Sequence, residues 1–231
     1  MRRVGHKGAD LIAPGNTFAS FDAAVAAGVD MIEFDVLPEP ETNRLVLAHD
    51  LADAASREPH TLQEGLAYLA AAPFAGIELD VDLKATGYEL AVLDALRAHR
   101  LLERTLVSTT YPASLALIRA HEPALRLGWS VPRLQHDPFR SRFLAPFAGA
   151  GLPIARAALP ARAATAIRAG YCDALMAQWR FVTPKLVRSV RDAGGELYVW
   201  TVDELPRLRT LDALGVTGVI TNDPRLFAEL A

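Results

Sequence analysis

The chain has 231 residues, 51% of them hydrophobic and 22% charged, and a formal net charge of −3. That is an ordinary globular balance, and without a basic tract nothing points to nucleic acid. No apolar stretch is long enough to span a bilayer without a charge interrupting it. The opening residues, Met1 to His6, lack the apolar run of a signal peptide, and the lone Cys172 has no internal disulfide partner, so a cytoplasmic protein is expected.

Short β-branched segments alternate with longer helical ones from end to end. Arg3 to His6 reads as a first strand. Thr17 to Ala27 reads as a helix, with Phe18, Phe21, Ala24 and Val25 at helical spacing, Asn16 or Thr17 as its cap and Gly28 at its end. Met31 to Val36 is a second strand, and Leu45 to Ala48 a short extended segment that delivers His49. Thr61-Leu62-Gln63-Glu64 is a capping-box signature opening a helix to about Ala71. Gly76 to Leu83 reads as a strand followed by a helix from Tyr88 to His99. Thr105 to Ser108 and Leu125 to Ser130 read as strands flanking a helix from Pro112 to His121. From Val131 to Ala169 the sequence places only one element, a helix from about Ala157 to Arg168. Strands follow at Ala174–Ala177, Glu196–Thr201 and Gly218–Thr221, with helices at Thr183–Ala193, through Leu214, and from Pro224 onward.

Eight strand–helix units in this length match a parallel (β/α)8 barrel, taken as a single domain over residues 1–231. The competing arrangement is an open doubly wound sheet, but no glycine-rich phosphate fingerprint follows the first strand. In a barrel, side chains at the C-terminal ends of the strands converge on one mouth. Strand alternation puts Glu33 and Asp35 on one face, and Glu78, Asp80, Asp82 and Lys84 on another. Carboxylates crowded on a buried face are costly unless something positive meets them, and a divalent cation is the simplest partner. His6 and His49 end neighbouring segments and reach the same rim.

These residues sit in motifs that resemble the glycerophosphodiester phosphodiesterases over nearly the whole chain. His6-Lys7-Gly8 is similar to the family's opening His-Arg-Gly, and Pro14-Gly15-Asn16-Thr17 to its Pro-Glu-Asn-Thr. Glu33-Phe34-Asp35-Val36, His49-Asp50 and Asp82-Leu83-Lys84 match further blocks. Val199 to Asp203 and Gly215 to Pro224 resemble the closing ones. The resemblance implies cleavage of glycerophosphodiesters to glycerol 3-phosphate and an alcohol, by way of a cyclic phosphate. It implies one Mg²⁺ or Ca²⁺ held by Glu33, Asp35 and Asp82, and an acid–base pair of His6 and His49 whose division of labour the sequence leaves open. Lys7, Lys84 and Trp200 are the implied substrate contacts. A sphingomyelinase D-like phosphotransferase acting on lysophospholipids is one alternative, and a degenerate binding barrel another.

The chain departs from the family's pattern at several positions. Lys7 replaces an arginine and Gly15 a glutamate; Asp82 is one methylene shorter than the commoner glutamate. Asp203 and Asn222 exchange the amide and the acid that the family usually shows. Asp50 to Pro59 is short where larger members insert a subdomain, so an open mouth is expected. Glu78 and Asp80 are read as support beneath the site. His60, His99, His121, His136 and Cys172 are read as structural.

Overall fold

A computed structural model describes residues 1–132 and 145–230, with side chains over 1–132 and 152–230. His136 lies outside the described residues. Eight parallel strands close into a barrel: β1 (Arg2–Gly5), β2 (Met31–Pro38), β4 (Glu78–Leu83), β5 (Thr105–Thr109), β6 (Arg126–Val131), β7 (Ala174–Gln178), β8 (Glu196–Trp200) and β9 (Gly218–Thr221). Each pairs with the next around the ring, and β1–β2 and β1–β9 pairing closes it. The two-residue strand β3 (Leu45–Val46) runs antiparallel to the end of β2, which places His49 above the mouth. The expected barrel is therefore present. Among the described residues, no helix is long and apolar enough to cross a membrane.

Helices α1 (Phe18–Ala26), α3 (Leu62–Leu69), α4 (Glu89–Ala98), α5 (Pro112–His121), α6 (Ala145–Arg168), α7 (Pro184–Asp192) and α8 (Leu205–Leu214) cover the outside. Thr17 and Thr61 each close a full capping box, with Ser20 and Glu64 as the reciprocal partners. Two features differ from the sequence expectation. A six-residue helix, α2 (Leu51–Ser56), follows His49, capped by the Asp50 side chain. Helix α6 is twice as long as expected: it runs on N-terminally past Pro153, which a periodicity argument treats as a break, while Pro160 lies inside the expected span.

Alternation along the strands divides the molecule into two cores. Ile32, Phe34, Val36, Leu79, Val81, Leu83, Leu127, Leu175, Leu197 and Val219 point outward and pack under the helices. The opposite faces of the strands fill the barrel. Val4, Met31, Leu106, Ala174, Met176, Tyr198 and Ile220 form its apolar middle, with Trp200 against it. Register then stacks charge at both ends of this plug. At the N-terminal end Arg126 donates to Glu78 (2.6 Å), Glu196 (2.7 Å) and the Tyr198 hydroxyl (3.1 Å), and Arg2 pairs with Glu78. Glu78 thus belongs to a base plate at the end opposite the mouth and does not support the acidic cluster, contrary to the sequence reading. One β-strand period separates it from Asp80 and two from Asp82.

Arg126→Ala would leave Glu196 facing only the Tyr198 hydroxyl. Unfolding in urea is expected to show a loss of about 1–2 kcal/mol, in the range for one charged hydrogen-bond partner in a half-exposed setting. An unchanged midpoint would mean that the base plate adds nothing.

Candidate active site

Pairing of β2 with β4 sets Asp35 beside Asp82 and Glu33 beside Asp80. One oxygen from each of Glu33, Asp35 and Asp82 lies within 4.8 Å of the others. The three carboxylates expected to hold a cation are thus together. Asp35 is fully buried and gripped from two sides. Asn16 Nδ2 donates to Asp35 Oδ2 at 2.8 Å, while Asp35 N donates back to Asn16 Oδ1 at 3.0 Å. Lys84 Nζ stands 2.6 Å from Asp35 Oδ1 and 2.5 Å from Asp82 Oδ2. Ser108 Oγ donates to Asp82 Oδ1 at 3.4 Å.

Burial works against every one of these charges. At Asp35, the opposing fields of Lys84, His49 and His6 outweigh it and hold the carboxyl well below its usual range. At Glu33, burial and then the Asp35 charge push the carboxyl well above its usual range. Burial would also lower Lys84, but the charges of Asp35 and then Asp82 hold its ammonium well above the usual range. Within the cluster, Glu33 is thus the carboxyl biased toward its protonated form and Asp35 the one biased toward its charged form.

Beside this cluster, Glu33 Oε2 accepts from Lys7 N at 2.8 Å and lies 3.8 Å from His6 Nε2. His6 Nδ1 is 2.5 Å from Asn222 Oδ1. Burial lowers the pKa of His6, outweighing the Asp35 charge and the Asn222 bond. His49 is half exposed; its Nδ1 lies 3.2 Å from Asp50 Oδ2 and its backbone N–H donates to Asp53 Oδ2 at 2.9 Å. Arg57 ties Asp53 to the carbonyl of Leu47, which steadies the segment carrying His49.

Lys7 adopts φ of 50° and its ammonium pairs with Asp10 Oδ2 at 2.6 Å. Gly15 follows from that pair: a Cβ there would meet Asp10 Oδ1 at 2.5 Å and Lys7 Cβ at 2.8 Å. Asp10 Oδ1 instead accepts from Gly15 N. Trp200 ends β8 and donates its indole N–H to Met176 O at 3.0 Å.

The donor set fits a divalent cation. Three hard carboxylate groups converge against a single ammonium, and Asp35 Oδ1 is buried with no well-formed hydrogen bond of its own. Asn16 is the site residue that sequence reasoning missed. The sequence makes it a candidate helix cap, yet it is the side chain that holds Asp35. Its signal was available as an asparagine, tolerant of positive φ, directly after the loop that leaves the first strand; here φ is 60°.

Fold and site together define a (β/α)8-barrel protein with an acidic cluster, suited to a cation, between two histidines at its mouth. The glycerophosphoryl diester phosphodiesterase family matches residues 6–53 and 85–226, and the chain belongs to that family of phosphodiester hydrolases. The intervening stretch holds Asp82 and Lys84, whose place in the site rests on the register of β4. A glycerophosphodiester phosphodiesterase of Caldanaerobacter subterraneus is 23% identical over 98% of this chain and 96% of its own length. Among solved structures, a putative glycerophosphoryl diester phosphodiesterase from Silicibacter pomeroyi has the same fold, with a TM-score of 0.79 at 21% identity, covering 100% of this chain and 92% of its own. So does a phosphodiesterase from Oleispira antarctica in complex with the product sn-glycerol-3-phosphate, with a TM-score of 0.74 at 19% identity, covering 100% and 96%.

Asp80 lies directly under the cluster, 1% exposed, and neither carboxylate oxygen has a well-formed hydrogen bond. Burial, and then the Asp82 charge, push it up to about 8. An unfolded chain releases this proton near pH ~3.9. Between those values the folded state binds the extra proton, so Asp80 costs stability increasingly as pH rises. In the presence of a chelator, Asp80→Asn should gain stability relative to the parent as pH climbs from ~4 to about 8. A difference independent of pH would show that Asp80 is ionised throughout.

Proposed function

We propose that this chain hydrolyses glycerophosphodiesters to glycerol 3-phosphate and an alcohol, with Glu33, Asp35 and Asp82 holding one Mg²⁺ or Ca²⁺. The observation that carries the reading is the convergence of these three carboxylates within 4.8 Å beside the Nε2 atom of His6. The bound cation supplies charge neutralisation on the phosphate and polarises phosphorus.

The residues of this chain do the rest. His6, whose low pKa keeps the ring neutral, takes the proton from the glycerol hydroxyl next to the phosphate at Nε2. That oxygen bonds to phosphorus and the bond to the alcohol breaks, while the more exposed His49 protonates the departing oxygen. In the second half His49 takes a proton from water, which opens the cyclic phosphate, and His6 returns its proton to the glycerol hydroxyl. Lys84 balances Asp35 and Asp82 and stands where it would also meet the phosphate. Lys7 adds a point charge at the rim, and Trp200 walls the glycerol side. The product seen with the Oleispira phosphodiesterase supports the choice of glycerol 3-phosphate.

One observation favours a second substrate class. Leu11, Ile12 and Leu51 are exposed on the segments that follow His6 and His49, where the acyl chain of a lysophospholipid would run, and the short Asp50–Pro59 segment leaves that approach open. The intact histidines and acids speak against a barrel used only for binding. We read residues 1–231 as one domain, and the lone buried Cys172 as fitting a cytoplasmic setting.

Glycerophosphocholine and lysophosphatidylcholine are the substrates to compare, with and without EDTA. Turnover of the first should stop with EDTA and return with Mg²⁺ or Ca²⁺; activity that survives full removal of metal rules out the cation. Phosphorus NMR separates glycerol 3-phosphate from a released cyclic product. His6→Ala and His49→Ala should each slow turnover by at least ~10²-fold, the usual contribution of a positioned acid or base. A variant at the parental rate removes that histidine from the mechanism.

A further inference from the structure

The Asp203–Asn222 pair turns from an unexplained exchange into a device once its hydrogen bonds are followed. Asp203 Oδ1 accepts from the Thr221 hydroxyl at 3.0 Å and from Asn222 N at 2.8 Å. Asp203 Oδ2 accepts from Asn222 Nδ2 at 2.7 Å. A carboxylate accepts and does not donate, so the amide nitrogen of Asn222 must face Asp203. The amide oxygen is then the atom that faces His6 Nδ1, at 2.5 Å. An amide oxygen accepts only, so His6 must carry its ring proton on Nδ1. The neutral ring therefore presents a bare Nε2 toward Glu33, 3.8 Å away.

We infer that Asp203 is a positioning residue: through Asn222 it fixes the tautomer of His6 and so makes Nε2 the basic atom. This rests on the phosphodiesterase reading for its effect on rate, but not for its geometry. Without Asp203, nothing dictates which way the Asn222 amide points. A flipped amide would offer N–H to Nδ1 and put the ring proton on Nε2, where it blocks the base. The two side chains are also interchangeable in principle. With the amide at position 203 and the carboxylate at position 222, every bond and every polarity would be kept. The amide oxygen would accept from the Thr221 hydroxyl and from the backbone N–H at 222. The amide nitrogen would donate to the carboxylate, and the carboxylate would accept from His6 Nδ1.

The exchange supplies the test. Asp203→Asn alone should lower kcat by ~10- to 10²-fold, the usual range for a group that orients a working histidine, with little change in KM. The double variant Asp203→Asn/Asn222→Asp should return kcat to near the parental value. Parental kcat in Asp203→Asn, or a loss that the double variant fails to repair while remaining folded by circular dichroism, overturns the proposal. ¹⁵N NMR of the parent protein gives a readout that does not depend on turnover. With the ring neutral, His6 should show a protonated Nδ1 and an unprotonated Nε2, and the reverse overturns the proposal even if a variant fails to fold. If the parent shows this tautomer but hydrolyses no glycerophosphodiester, the assigned activity fails and the positioning device stands.

Discussion

Everything at the mouth of this barrel answers to one constraint: Asp35 is ionised and out of water. A buried carboxylate without compensation is costly enough to take up a proton instead. Here Asn16 satisfies one oxygen and Lys84 neutralises the other. The consequence is displaced onto its neighbour. With Asp35 charged, the Glu33 carboxyl is pushed well above its usual range, and the site is left with acids that a dication satisfies better than one ammonium can. The loop between β1 and α1 serves this purpose along its length. Lys7 N fixes Glu33, the Lys7–Asp10 pair excludes a side chain at position 15, and Asn16 reaches back to Asp35.

The barrel interior makes that arrangement tolerable by separating its charges. An apolar layer centred on Met31, Leu106, Met176 and Tyr198 divides the mouth from the base plate of Arg2, Glu78, Arg126 and Glu196. Each end is close to balanced within itself, except at Asp80, which lies on the boundary without a well-formed hydrogen bond. Its cost to stability grows as pH rises toward about 8.

Much of the site was legible in the sequence because strand alternation is a rigid rule: residues 33, 35, 80 and 82 had to face inward once their segments were strands. The same rule did not say how deep Glu78 lay, because depth depends on register between strands, and register put it against Arg126 and Arg2. Asn16 went unread because its job is to bond a residue nineteen positions away across a loop. The α2 helix was missed for lack of a buried face; none of its residues is buried, so it leaves no apolar period. The Asp203–Asn222 exchange was visible as a departure, but only distances gave the direction of each hydrogen bond.

Glu33, Asp35 and Asp82 are proposed as one cation site in which Glu33 is the carboxyl most biased toward its protonated form. Calorimetric titration with Mg²⁺ and with Ca²⁺, in buffers of different ionisation enthalpy, tests it most directly. The expected result is one ion per chain, with net proton release on binding near neutrality and binding abolished by Asp35→Asn. Binding without proton release would contradict the proton assignment, and undiminished binding by Asp35→Asn would contradict the site.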